Sequence, residues 1–178
     1  MHLPSPSILP GRTEATPIVF IGDDAFPLST NVMKPFPGSF DKGSKQRIFN
    51  YRTSRARRVS ENVFGIISSV FRVLRKPMLL EPHIATKIVL AIIHLHNFLR
   101  RSSSKNIYNP PGIFDVECAD TGVIVTDGVW RKDLPGISGM TAFTKTPRRS
   151  KSDAEKVRNE FAEYFISPEG EVSFQWQR

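Results

Sequence analysis

Cysteine is all but absent from this chain. Cys118 is the one cysteine, which excludes an intramolecular disulfide and a cysteine-based zinc site. Histidine is scarce as well: His2, His83, His94 and His96 are the four, and none forms the i, i+4 helical pair of the zinc proteases. No glycine-rich phosphate loop occurs, and no nucleophile triad is indicated. The apolar stretch Ile88–Leu99 is broken by His94, His96 and Asn97 and falls short of the roughly 20 residues of a membrane span, so no membrane partner is indicated. Residues 1–16 are rich in Pro and Ser and lack the charged start and apolar core of a secretory leader, so they are expected to be a flexible segment. Acidic excess is missing too. Against 17 Asp and Glu stand 25 Lys and Arg, a formal charge of +8, which suits an acidic partner with DNA first.

What is present begins with Ile18-Val19-Phe20-Ile21, a short apolar run that stops at Gly22-Asp23. It reads as a buried strand covered on both faces, with Asp23 at its carboxyl end, where helix-flanked sheets bind their ligands. Read alone, Asp23 or Asp24 equally serves to cap the turn before Phe26-Pro27.

A second carboxylate lies on a predicted helix. Ala56, Val59, Val63, Ile66, Ile67, Val70 and Leu74 recur at spacings of three and four, an amphipathic pattern. At about 100° per residue, Arg57, Glu61, Gly65 and Ser68 share the opposite face. A glycine inside a helix costs about 1 kcal/mol relative to alanine, so Gly65 points to close approach by another backbone or a substrate strand. Taken alone, Glu61 is a surface carboxylate pairing with Arg57 or Arg58 for a few tenths of a kcal/mol. Arg52, Arg55, Arg57 and Arg58 crowd near the expected start of this helix. They suit phosphate binding, a solvated helix end, or an address for nuclear import.

Taken in order, Gly22-Asp23-Asp24-Ala25-Phe26-Pro27-Leu28, Met33-Lys34-Pro35-Phe36, Phe49-Asn50-Tyr51-Arg52, Ser54-Arg55-Ala56-Arg57-Arg58 and Glu61-Asn62-Val63-Phe64-Gly65 resemble the DDE superfamily nucleases of the PIF/Harbinger transposon type. Leu95-His96-Asn97-Phe98-Leu99, Arg158-Asn159-Glu160-Phe161 and Trp176-Gln177 resemble the same family's C-terminal half. The resemblance implies an α/β, RNase H-like fold, of which this chain is the C-terminal half, followed by an irregular tail and a terminal helix. It implies that Asp23 is the family's second catalytic carboxylate and metal ligand, that Glu61 is the third, and that Asp24 is a neighbour. The family's first Asp stands upstream of a segment that this chain does not contain, so the chain is expected to be catalytically incomplete, with weakened metal binding and most activity lost. Phosphodiester chemistry is helped by a pair of divalent ions, and hard ions such as Mg²⁺ or Mn²⁺ take oxygen ligands. The implied partners are DNA, through Arg52, Arg55, Arg57 and Arg58, and a Myb/SANT-like DNA-binding protein. The implied location is the nucleus, with the cytoplasm also open. Two alternatives stand beside catalysis: a DNA-binding or protein-interaction module that has lost the chemistry, and a fragment that does not fold by itself.

The expected organisation is a flexible segment at 1–16, the nuclease part at 17–101, and an irregular linker with a C-terminal helix and aromatic tail at 102–178. Pro77 and Pro82 separate the Glu61 helix from a core helix at Ile88–Leu99, in which His94, His96 and Asn97 are structural. Arg101–Ser152 carries Ser102-Ser103-Ser104 and Pro110-Pro111-Gly112 and is expected to be irregular. Ala154, Val157, Phe161 and Phe165 recur at three and four, marking a last helix that opens near Ser150–Asp153. Phe174 and Trp176 follow in an extended end that docks on its own domain or meets a partner.

Overall fold

The structure is a computed structural model that describes residues 2–102, 105–133 and 152–177. In chain order the elements are β1 (Ser7–Ile8), β2 (Ala15–Thr16), β3 (Phe20–Ile21), β4 (Val32–Met33), α1 (Lys45–Val70), α2 (Pro82–Arg101), α3 (Lys105–Tyr108), β5 (Val116–Glu117), β6 (Ile124–Thr126) and α4 (Ser152–Phe165). Short 3₁₀ turns lie at Arg72–Arg75, Val129–Asp133 and Ser173–Gln177. Among the described residues, helices combine with three small two-stranded sheets, an α/β composition. Two compact units divide the chain: Met1–Arg58 with Phe143–Arg178, and Val59–Ala142.

In the first unit β1 and β2 form an antiparallel hairpin, closed by a turn in which Gly11 takes φ 70°. The segment expected to be flexible is thus folded back on itself. Arg12 fixes it, since its Nε and Nη2 donate to the two Glu160 carboxylate oxygens on α4 at 2.6 and 2.8 Å. That fork-to-fork pairing holds the Glu160 carboxyl below the usual carboxylate range. Helix α1 opens at Ser44, whose Oγ accepts the Arg47 N–H at 3.4 Å, and Lys45 at its start pairs with Glu163 of α4. Met33, Phe49 and Ala162 are fully buried together, with Val19, Leu28, Phe36, Val157, Phe161 and Phe165 packed around them. The spacing that predicts α4 therefore faces this core. Burying a side chain such as Phe49 contributes about 1.5–3 kcal/mol.

Strand β3 pairs in parallel with β4, Phe20 opposite Val32 and Ile21 opposite Met33. The expectation that Ile18–Ile21 is covered on both faces is not met: Ile18, Phe20 and Ile21 are exposed. Val19 alone of the run packs on the core, and a two-stranded sheet leaves Ile18, Phe20 and Ile21 open among the described residues.

In the second unit, Ile66 of α1 packs with Tyr108, Ile113 and Trp130, joined by Phe71, Leu99 and Phe114. Helix α2 begins at Pro82, a residue suited to the first helical position, and ends with Arg100 and Arg101 where cations favour the helix dipole. It is a poorer core helix than its composition suggests, because only Ile92 and His96 are buried. Of the stretch expected to be irregular, residues 105–133 form α3, the β5–β6 hairpin and the Val129–Asp133 turn. Hydrogen bonds from polar side chains, which apolar periodicity does not register, hold this part in place. Residues 134–151 lie outside the described residues.

Candidate functional site

Asp23 follows β3 directly. Gly22 closes the strand by donating its N–H to Met33 O at 2.8 Å, and the chain then turns. Oδ1 of Asp23 accepts the Ala25 N–H at 2.9 Å while its carbonyl accepts the Phe26 N–H at 3.2 Å. This is the turn-capping use of Asp that its position allows. Oδ2 faces the guanidinium of Arg57, 3.9 Å from Nη2. Two of the candidate residues are therefore brought together in the first unit, with Asp23 half exposed. The carbonyl of Asp24 accepts from Lys34 Nζ at 3.3 Å.

The arginines stand within α1 rather than at its start, since the helix begins at Lys45. Arg52 is committed to the chain's own C-terminal segment: Nη1 donates to Gly170 O and Gln175 Oε1, both at 3.0 Å, and the guanidinium lies 4.6 Å from the Phe165 ring centroid. Burial, and then the neighbouring Arg55, lower its pKa. Arg55 stacks 4.9 Å from the ring centroid of Phe174, which is buried as the expectation of self-docking requires. Trp176 stays exposed, with its indole N–H donated to Glu171. Arg58 is half-buried on the same helix.

Glu61 lies in the second unit, exposed on α1. Its neighbour Asn62 is buried and organises a polar network. Asn62 Oδ1 accepts the Trp130 indole N–H at 2.9 Å and the Asp115 N–H at 3.1 Å. Asp115 in turn accepts the Gly128 N–H at 2.8 Å and binds Arg131 through both oxygens, at 2.8 and 2.6 Å. This pairing raises the Arg131 pKa, Asp115 dominating and Glu61 adding a smaller share. Gly65 serves the same network. A Cβ on Gly65 would lie 2.1 Å from Cε3 of Trp130, so the indole occupies the space that the missing side chain leaves. The sequence signal of close approach is correct and its partner is the chain's own tryptophan.

His96 behaves as a structural residue. His96 is buried with Nδ1 2.7 Å from the Tyr108 hydroxyl, and His94 is exposed. Burial, aided by Arg100, lowers the His96 pKa.

Asp23 and Glu61 carry the hard oxygen donors that Mg²⁺ or Mn²⁺ prefers. Among the described residues no three His, Cys, Asp or Glu side chains gather into a metal-holding group. Each carboxylate taken singly fits a cation that draws its other ligands from substrate phosphates and water, and the described residues do not compose a three-carboxylate set.

Residues 8–97 match the DDE superfamily endonuclease family, a span that includes both Asp23 and Glu61. The chain belongs to this family of nucleases, whose members act on DNA and normally use divalent metals. No curated protein and no solved structure matches the chain.

Proposed function

We propose that this protein is a metal-dependent DNA endonuclease of the PIF/Harbinger type with an RNase H-like fold, and that Asp23 and Glu61 are its metal-binding carboxylates. The observation that carries the reading is the family match over residues 8–97, which takes in both carboxylates. The reaction is phosphodiester hydrolysis or strand transfer, with Mg²⁺ or Mn²⁺ supplying Lewis acidity when bound. The chain's own contribution is a carboxylate held at the end of a parallel strand by the Asp23–Ala25 turn, and a basic helix, through Arg57 and Arg58, for the phosphate backbone. A nuclear location and a Myb/SANT-like partner for site selection complete the reading, supported by the resemblance and by the charge of +8.

A second reading has its own observation. Arg57 faces Asp23 Oδ2 at 3.9 Å, the oxygen that the turn leaves open to a cation. A module that binds DNA without cutting it would keep that ion pair.

Calorimetric titration with Mn²⁺ separates the two. The nuclease reading expects binding that Asp23→Asn and Glu61→Gln each weaken by tenfold or more, as about 1.4 kcal/mol per tenfold requires. Mn²⁺ affinity unchanged by both substitutions would leave the binding module standing.

A further inference from the structure

Helix α2 carries two apolar faces, and its own core uses one. Ile92 and His96 are buried there, and Leu99 packs beside Ile66 and Trp130. The other is a seam: Ile84, Ile88, Ala91, Leu95 and Phe98 follow at intervals of four, three, four and three. That 3.5-residue repeat is the pattern by which one helix lies along another. It is open to solvent at Ala91 and at Ile84, Leu95 and Phe98, which are 37%, 48% and 67% exposed, while Ile88 is half-buried. Single exposed apolar residues need no explanation, but four aligned on one side of a helix do.

Charge selects the occupant. Lys87, His94 and Arg101 recur once per heptad along the side of the seam away from the buried face, all exposed, and α2 contains no Asp or Glu. A second copy of α2 would bring the same basic edge, with no carboxylate of its own to answer it. We propose that the seam docks an amphipathic α-helix of another protein, with an apolar stripe against Ile84–Phe98 and an acidic edge beside Lys87 and Arg101. Apolar contact then supplies the affinity, and the charged flank supplies orientation and partner choice. This interaction is independent of metal chemistry at Asp23 and Glu61.

The test titrates the full chain into two fluorescently labelled synthetic helices of about three heptads, with leucine at both seam positions and either glutamate or lysine at the flanks. The acidic helix is expected to bind at least about tenfold more tightly than the basic one. Leu95→Gln with Phe98→Gln should weaken it about tenfold, and Lys87→Glu with Arg101→Glu should reverse the preference. The charge-reversal pair lies wholly at the surface, so it keeps the test decisive if the seam variant misfolds. Equal affinity for the two helices overturns the proposal. So does a chain dimer in sedimentation that Phe98→Gln dissociates, which assigns the seam to a second copy. Loss of duplex DNA binding in the charge-reversed chain, with helix binding unchanged, also overturns it and assigns the basic edge to nucleic acid.

Discussion

The indole of Trp130 lies over the backbone of Gly65 and gives its N–H to Asn62 Oδ1 at 2.9 Å, so one tryptophan is held by two residues a single helical turn apart. Gly65→Ala is therefore expected to destabilise the protein, although Gly→Ala inside a helix usually gains about 1 kcal/mol. A Cβ at 2.1 Å from the ring forces the indole to move, and overpacking of this kind costs typically about 1–3 kcal/mol. Denaturant unfolding checks the sign. In a double-mutant cycle Trp130→Ala should remove most of the Gly65→Ala penalty, because the clash has no other partner among the described atoms nearest that position.

Asn62→Ala should cost more than an ordinary helix-surface change. It strips the acceptor from the part-buried Asp115 N–H and from the buried Trp130 indole, and a buried donor left unpaired costs about 1–3 kcal/mol. Hydrogen exchange at the Asp115 amide is expected to accelerate well beyond exchange in the β1–β2 hairpin of the other unit.

These two residues show where the sequence is legible and where it is not. Apolar periodicity identifies α4 because Val157, Phe161 and Phe165 face one core of ordinary hydrophobic side chains. It misplaces the α1 stripe for the opposite reason. Ile66 and Ile67 are buried as the spacing requires, but Val59 and Val70 are exposed while Asn62 and Gly65 are buried. A polar residue that becomes buried through distant hydrogen bonds, and a glycine that admits an aromatic ring, carry no apolar signal. The helix start is hidden too, because Lys45–Arg55 sets only Ile48, Phe49 and Tyr51 in an otherwise polar string. The position of Asp23 directly after a strand is legible from the apolar run that precedes it. Its engagement with Arg57 depends on a helix packed nearby and could not be read from spacing.

Stability should fall as the solution is acidified through the histidine range. Burial depresses the His96 pKa in the folded state, so below about 6.5 the unfolded chain takes up a proton that the folded chain resists. The contribution is intact above that value and is lost as pH falls towards the folded-state pKa. Thermal melts of His96→Gln between pH 7.5 and 5 are expected to show a shallower decline than the parent, from a lower starting stability because the Tyr108 contact is lost.

Arg52→Ala is expected to act on the fold first. Its two hydrogen bonds to Gly170 and Gln175 hold the C-terminal turn, and hydrogen bonds to charged groups contribute about 1.5–3 kcal/mol each. Denaturation should show that loss, with the salt dependence of DNA binding little changed. Arg58→Ala is expected to act on DNA binding, lowering the slope of log affinity against log salt by about 1.

The most direct measurement is nicking of supercoiled plasmid by the chain in Mn²⁺, run beside Asp23→Asn and Glu61→Gln proteins whose DNA binding and melting are intact. A metal-dependent nuclease built on these carboxylates should nick the plasmid, stop when the ion is chelated, and lose at least about 100-fold in rate in each variant, on the order of 2.7 kcal/mol of transition-state stabilisation. Nicking at the parent rate in both variants, or none by the parent under conditions where it binds DNA, would contradict the account.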